Sequence, residues 1–359
     1  MEFDRKLILE DGTEYYGKGF GADKSVVCEV VFNTSPAGYQ EIISDPSYTD
    51  QGVVFSYPLI GNYGITDEDF ESRSISPSAV IIRDLDDNPS NFRATRTLEE
   101  TLCDAGVPGI RDIDTRSLVR SIRDLGARRC ILTEASTPVE KGLRTIRETP
   151  IPHDAVKRCS SPKKWYSRTS NPKYHIVIVD CGIKMNIVRM ANREKCNVTI
   201  VPYNMGSEEI LSLHPDGILI SNGPGDPEDV PEVIETLKTL RGKLPIFGIC
   251  LGHQLIALSC GARTYKLKFG HRGGNHPVRD ERTGKIEITS QNHSYAVDEK
   301  SLPGTGLSVL KRNLLDQTVE GLLCQEDKLF SVQYHPESAP GPEDSFSLFH
   351  EFIRMMEEV

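Results

Sequence analysis

Pro245-Ile-Phe-Gly248-Ile249-Cys250-Leu251-Gly252-His253-Gln254-Leu-Ile-Ala-Leu258 places one apolar run directly before another, with a Gly-x-Cys-x-Gly turn between them. It reads as a buried strand, a sharp turn and a helix that starts at once. The two glycines let the backbone turn tightly and let the helix pack close to the strand. That geometry lifts Cys250 to the top of a sheet and points it at the first helical turn. The partial positive charge there favours the thiolate, which is the nucleophilic form. Alone, a cysteine among apolar residues reads first as a small buried hydrophobe.

Two further stretches change that reading. Phe330-Ser-Val-Gln333-Tyr334-His335-Pro336-Glu337 holds a histidine and a carboxylate two residues apart. In extended chain those side chains share a face, and Pro336 fixes the backbone between them. A carboxylate so placed can orient the imidazole and stabilise its protonated form, so Cys250, His335 and Glu337 make a complete covalent-catalysis set. Asp216-Gly-Ile-Leu-Ile220-Ser221-Asn222-Gly223-Pro224-Gly225-Asp226-Pro227 is a buried strand entering a Gly/Pro turn. Its exposed N–H groups suit an oxyanion or a carboxylate, although an ordinary tight turn would look the same.

From about Tyr174 to the C-terminus these strings, in this order, resemble class I (triad-type) glutamine amidotransferases. The resemblance implies an α/β fold with a doubly wound, mostly parallel sheet. The residues agree independently: buried-strand runs occur at His175–Val179, Val198–Val201, Gly217–Ile220 and Ile246–Ile249, with helix-like segments between several of them. Cys250 then sits at the carboxyl end of a strand, where open α/β sheets build their sites.

The first half narrows the match. Val30-Val-Phe-Asn33-Thr-Ser-Pro-Ala-Gly38-Tyr39-Gln40-Glu41, Asp45-Pro46-Ser47-Tyr48, Ser90-Asn91-Phe92-Arg93 and Arg111-Asp-Ile-Asp114-Thr115-Arg116 resemble the carbamoyl-phosphate synthetase small-subunit family. Phe269-Gly-His271-Arg272-Gly-Gly-Asn-His276-Pro277 and Gln291-Asn292-His293 add to it. The resemblance implies a glutaminase that attacks the side-chain amide of L-glutamine with Cys250. It implies glutamine contacts at Ser47, Gly223, Gly225, Leu251, Gln254, Asn292, Ser294 and Tyr295, with Ser47 bringing the pocket to a domain interface. Position 294 is usually glycine in the family; if that backbone has positive φ, Ser294 costs strain. The resemblance further implies a large synthetase subunit as partner, which uses ATP and magnesium and receives ammonia through a channel. This chain would need no cofactor of its own. Heterodimers could assemble further, and the product would feed pyrimidine and arginine synthesis.

Three regions are expected: an N-terminal mixed α/β domain over 1–150 that docks the large subunit, a linker over 151–173, and the amidotransferase domain over 174–359. The linker reading rests on Pro, Ser and Lys content. In the first region, β-like runs at Lys6–Glu10, Val26–Phe32, Val53–Tyr57 and Ala79–Arg83 precede helical patterns at Leu98–Ala105 and Asp114–Leu125. Gly17-x-Gly19-x-Gly21 is read as a turn, since no helix pattern follows. A net charge of −10 argues against nucleic acid as a partner. No apolar run is long enough to span a membrane and no signal core opens the chain. Nine scattered cysteines without a Cys-x-x-Cys pair suggest neither disulfides nor structural zinc, so reduced cytoplasm is the expected setting. His253, His271, His276 and His293 fit no common ligand spacing, and no metal is expected.

Three competing readings remain. The same amidase could serve another pathway or act as a γ-glutamyl hydrolase, which would carry a different first domain. A non-catalytic partner would lack a triad residue. A thiol hydrolase of the α/β-hydrolase type would place its acid between nucleophile and histidine in chain order.

Overall fold

The computed structural model describes residues 3–358. The chain divides into two compact units, Met1–Pro152 and His153–Val359.

The first unit holds strands β1 (Arg5–Leu9), β2 (Glu14–Gly21), β3 (Val26–Asn33), β4 (Gln51–Phe55), β5 (Leu59–Ile60), β6 (Ala79–Ile81), β7 (Asp84–Leu85), β8 (Pro108–Arg111) and β9 (Arg128–Glu134). Its helices are α1 (Tyr39–Ser44), α2 (Leu98–Ala105), α3 (Thr115–Leu125) and α4 (Val139–Glu148). Seven strands close a barrel in the order β1-β2-β8-β6-β4-β3-β9, while β5 and β7 pair separately. Closure leaves the barrel without a free sheet edge. Two of these helices, α2 and α3, begin at side-chain caps. Thr97 and Glu100 form a capping box before α2, and Asp114 accepts the Ser117 N–H at 2.9 Å before α3.

The Gly17-Gly21 stretch is strand, not turn. It lies in β2, where a Cβ at Gly17 would come within 2.3 Å of the Arg111 carbonyl oxygen across the β2–β8 seam. The glycines permit close strand approach, a need that the local pattern does not reveal.

The second unit holds β10 (Trp165–Ser167), β11 (Tyr174–Asp180), β12 (Cys196–Pro202), β13 (Gly217–Ile220), β14 (Ile246–Ile249), β15 (Thr264–Asp280), β16 (Ile286–Val297), β17 (Ser308–Asn313), β18 (Val319–Cys324) and β19 (Leu329–Val332). Its helices are α5 (Ala155–Cys159), α6 (Met185–Arg193), α7 (Ser207–Leu211), α8 (Pro231–Leu240), α9 (Leu251–Ser259) and α10 (Ser347–Glu357). One sheet runs β10-β12-β11-β13-β14-β19-β18-β17-β15-β16. The pairings among β12, β11, β13, β14 and β19 are parallel, and those beyond them are antiparallel. The parallel centre is covered on both faces, which is why its strands read as unbroken apolar runs. Residues of α7, α8 and α9 pack one face, and residues of α6 and α10 the other. On the second face Phe247 stacks on Phe330 at 4.4 Å and meets Phe349 edge-on at 5.8 Å.

Residues 151–173, expected as a linker, carry structure of their own. They hold α5 and the edge strand β10, whose Trp165 faces Ile200 of β12. Ser161 ties them to the sheet, donating from both its N–H (2.9 Å) and Oγ (2.7 Å) to Asp180. A three-residue strand is too short to show a period, so composition alone reads as linker.

Candidate active site

Three neighbouring parallel strands deliver the site. The turn after β13 carries Ser221–Gly225, the turn after β14 carries Cys250, and the chain leaving β19 carries His335 and Glu337. All three lie at carboxyl ends of strands. Cys250 occupies a non-helical elbow with φ 54° and ψ −102°, uncommon for a residue with a Cβ. Its N–H donates to Val332 O at 2.9 Å, which pins the elbow to β19. The flanking glycines answer to contact. A Cβ at Gly252 would lie 2.3 Å from Ile220 O, and one at Gly248 would lie 2.5 Å from Ile256 Cδ1.

His335 Nδ1 is 2.7 Å from Glu337 Oε1, and both side chains are buried. The other ring nitrogen, Nε2, is buried with no hydrogen bond of good geometry within the protein. Burial alone would lower the His335 pKa, but the Glu337 carboxylate and the Cys250 sulfur outweigh it and push it up to about 10. Burial works against the Glu337 charge as well, yet Lys184 and His335 bring it down to about 2.

Lys184, which the motifs do not single out, supplies that charge. Its Nζ lies 2.9 Å from Glu337 Oε1 and donates to Ser338 O at 2.5 Å. Asn186 donates to Glu337 O from the first turn of α6. The Lys184 N–H donates to Asn222 Oδ1 at 3.1 Å, linking this residue to the turn after β13. In sequence, Lys184 follows Asp180-Cys-Gly-Ile as one more polar turn residue. Only the fold shows that it is 2 % exposed.

The other expected residues of this unit gather around the elbow. A Cβ on Gly223 would meet Leu251 Cδ2 at 2.7 Å, so that glycine rests on the first residue of α9. Gly225 has φ +88°, the left-handed region. Asn292 O lies 3.6 Å from Cys250 Sγ, and Gln254 Nε2 donates to Tyr295 O at 2.8 Å. Ser294 is not among the positive-φ residues, so the strain foreseen for it does not arise; its Oγ accepts from Arg272 Nη2 at 2.6 Å. Ser47 belongs to the first unit, in a single 3₁₀ turn (Pro46–Tyr48) whose N–H at Ser47 is capped by Asp45 Oδ1 at 2.9 Å.

Of the four histidines, His253 stands apart, while the rings of His276 and His293 lie 5.3 and 4.9 Å from that of His271. His253 is a buried residue of α9 with Nδ1 2.9 Å from Ser331 Oγ, and burial lowers its pKa to about 3. Possible ligand atoms of His271, His293 and Glu320 lie within 4.8 Å of one another. His293, however, spends its nitrogens on Tyr295 O (2.7 Å) and Gln291 Oε1 (2.9 Å), and His271 Nε2 engages Asp316 at 2.8 Å. The group is a hydrogen-bonded network, with Gln291 and Asn313 donating to Glu320.

Comparison with known proteins places both units. Residues 177–355 match the glutamine amidotransferase class-I family, and residues 7–132 match the carbamoyl-phosphate synthase small chain, CPSase domain. The carbamoyl phosphate synthase small chain of Listeria innocua is 50 % identical over 352 residues, covering 98 % of this chain and 96 % of that protein. That of Staphylococcus epidermidis is 50 % identical, covering 99 % and 96 %. A protein of Halalkalibacterium halodurans named carbamoyl phosphate synthase pyrimidine-specific small chain is 50 % identical, covering 98 % and 97 %.

Proposed function

The chain belongs to the family of carbamoyl phosphate synthase small chains and carries a class-I glutamine amidotransferase domain, and on that premise we propose that it releases ammonia from L-glutamine at Cys250 for a large synthetase subunit. The observation that carries this reading is the convergence of Cys250, His335 and Glu337 from adjacent strands, with a buried lysine behind the carboxylate.

The Cys250 thiolate attacks the side-chain amide carbon of glutamine, and the carbonyl oxygen becomes an oxyanion. Backbone N–H groups of Leu251 and of the Gly223–Gly225 turn hold it. The Gly252 N–H is committed to Ser221 O at 3.1 Å, which leaves this role to its neighbour Leu251. The His335 imidazolium gives its Nε2 proton to the amide nitrogen; the C–N bond breaks and ammonia leaves a thioester. The same nitrogen then takes a proton from water. The hydroxide so formed cleaves the thioester, releasing glutamate and regenerating thiolate and imidazolium. Glu337 orients the ring through Nδ1, and Lys184 keeps that carboxylate charged.

Gln254, Asn292, Ser294 and Tyr295 complete the glutamine pocket of the second unit in this proposal. The large subunit couples the ammonia to bicarbonate with ATP and magnesium, for pyrimidine and arginine synthesis in the cytoplasm. The first unit docks that subunit; a complex that survives deletion of residues 1–150 would overturn the docking role. The central test is ammonia release from L-glutamine with and without the large subunit, beside Cys250→Ser. Expected are weak activity alone, strong stimulation with partner, ATP and bicarbonate, and loss in the variant. Turnover surviving in Cys250→Ser would remove the nucleophile.

A further inference from the structure

Gln333 lies behind the nucleophile, and the steps above give it no role. It is fully buried, and its N–H donates to Glu320 O at 2.9 Å. Its side chain ends a short chain of polar contacts. Gln254 Nε2 donates to Tyr295 O at 2.8 Å and to Gln333 Oε1 at 3.0 Å, and Gln333 Nε2 lies 3.8 Å from Cys250 Sγ.

The polarity of this chain is fixed from one end. A backbone carbonyl only accepts, so the Gln254 atom facing Tyr295 O is its NH2. The second hydrogen of that NH2 needs an acceptor, so the Gln333 oxygen faces Gln254. The Gln333 NH2 therefore faces the sulfur. Turning either amide would set oxygen against oxygen at Tyr295, or NH2 against NH2 between the glutamines. On its other side the sulfur meets Asn292 O at 3.6 Å, an acceptor that suits the thiol. Only a donor suits the anion, and a hydrogen bond to an ionised group is the stronger kind.

We propose that Gln333 is a further catalytic residue. Its side-chain NH2 holds the anionic form of the Cys250 sulfur before attack and receives it again when the thioester is cleaved. The inference rests on Cys250 as nucleophile, but its test does not require glutamine. The full-length chain is alkylated with iodoacetamide across pH, and modification of Cys250 is followed by peptide mass spectrometry, since nine cysteines are present. Gln333→Met removes the donor. Gln333→Glu keeps the acceptor that faces Gln254 and replaces only the donor, so it decides the matter if the methionine variant fails to fold.

At pH 7 the Cys250 alkylation rate falls about tenfold in Gln333→Met, the scale of one hydrogen bond to a charged group, and further in Gln333→Glu. The deficit shrinks toward pH 10, where hydroxide removes the thiol proton without help. Wild-type rates in Gln333→Glu would overturn the proposal. So would a loss of the same size at every pH, which would signal altered access. Ammonia release persisting in Cys250→Ser would instead remove Cys250 as the nucleophile, a separate result.

Discussion

Lys184→Met probes what keeps the triad charged. In the wild type the Glu337 carboxyl is held from 4.5 down to about 2 against the cost of burial, with Lys184 the larger of its two cationic partners. That displacement corresponds to about 3 kcal/mol favouring the charged form. Both side chains are buried, at 3 % and 0 % exposure, so solvent screens little of it. Removing the ammonium leaves a buried carboxylate with His335 as its remaining cationic partner, a change that costs about 3–5 kcal/mol. For a unit of this size the melting temperature falls by roughly 6–20 °C. The sign follows from the depressed carboxyl. Its contribution is present above the unfolded value of 4.5 and is lost as pH falls toward about 2. The two proteins therefore differ most above pH 4.5, and the gap narrows below it. In the variant Glu337 takes up a proton more readily, so the acid limb of glutaminase activity moves toward neutrality. Calorimetry from pH 4 to 8 and the pH profile of kcat report the two effects. A loss under 1 kcal/mol with an unmoved acid limb would refute Lys184 as the charge that holds Glu337 ionised.

Two further outcomes follow from contacts elsewhere in the second unit. Gly252→Ala sets a Cβ 2.3 Å from Ile220 O, a backbone atom that cannot swing aside; a loss of about 1–3 kcal/mol is expected in urea unfolding, together with reduced turnover, and wild-type stability would contradict the close approach. For His271, burial alone would lower the pKa, but Asp316 and Glu320 raise it to about 9. Its stabilising charge is complete below 6.5 and is lost as pH rises to about 9, so the wild-type melting temperature falls over that range and His271→Gln flattens the fall. Parallel wild-type and variant curves would deny the ion network that role.

How much of this was legible in the chain depends on how local each signal is. The strands at 217–220 and 246–249, the elbow at Cys250 and the His335-Pro-Glu337 step are local patterns: apolar runs, glycine spacing and a two-residue period. The α2 and α3 patterns were local in the same way, as apolar residues at helical spacing. Barrel closure in the first unit was hidden because it depends on which strands pair, and the β2 glycines answer to Arg111, far along the chain. The antiparallel extension β18-β17-β15-β16 was equally invisible, since alternation marks a strand but does not choose its neighbour.

The sequence by itself picked out the candidate set Cys250, His335 and Glu337, because those residues sit in short strings whose backbone geometry is dictated locally. It also determined the family, through whole strings in both halves. Tertiary structure alone decided which residues tune the site. Lys184 reaches Glu337 across 153 positions, and Gln254 and Gln333 are separated by 79. Burial decides their worth. An ammonium or an amide in water is one polar group among many, but beside a buried carboxylate or sulfur it becomes the local source of charge or of a hydrogen bond, and no sequence window is wide enough to show that.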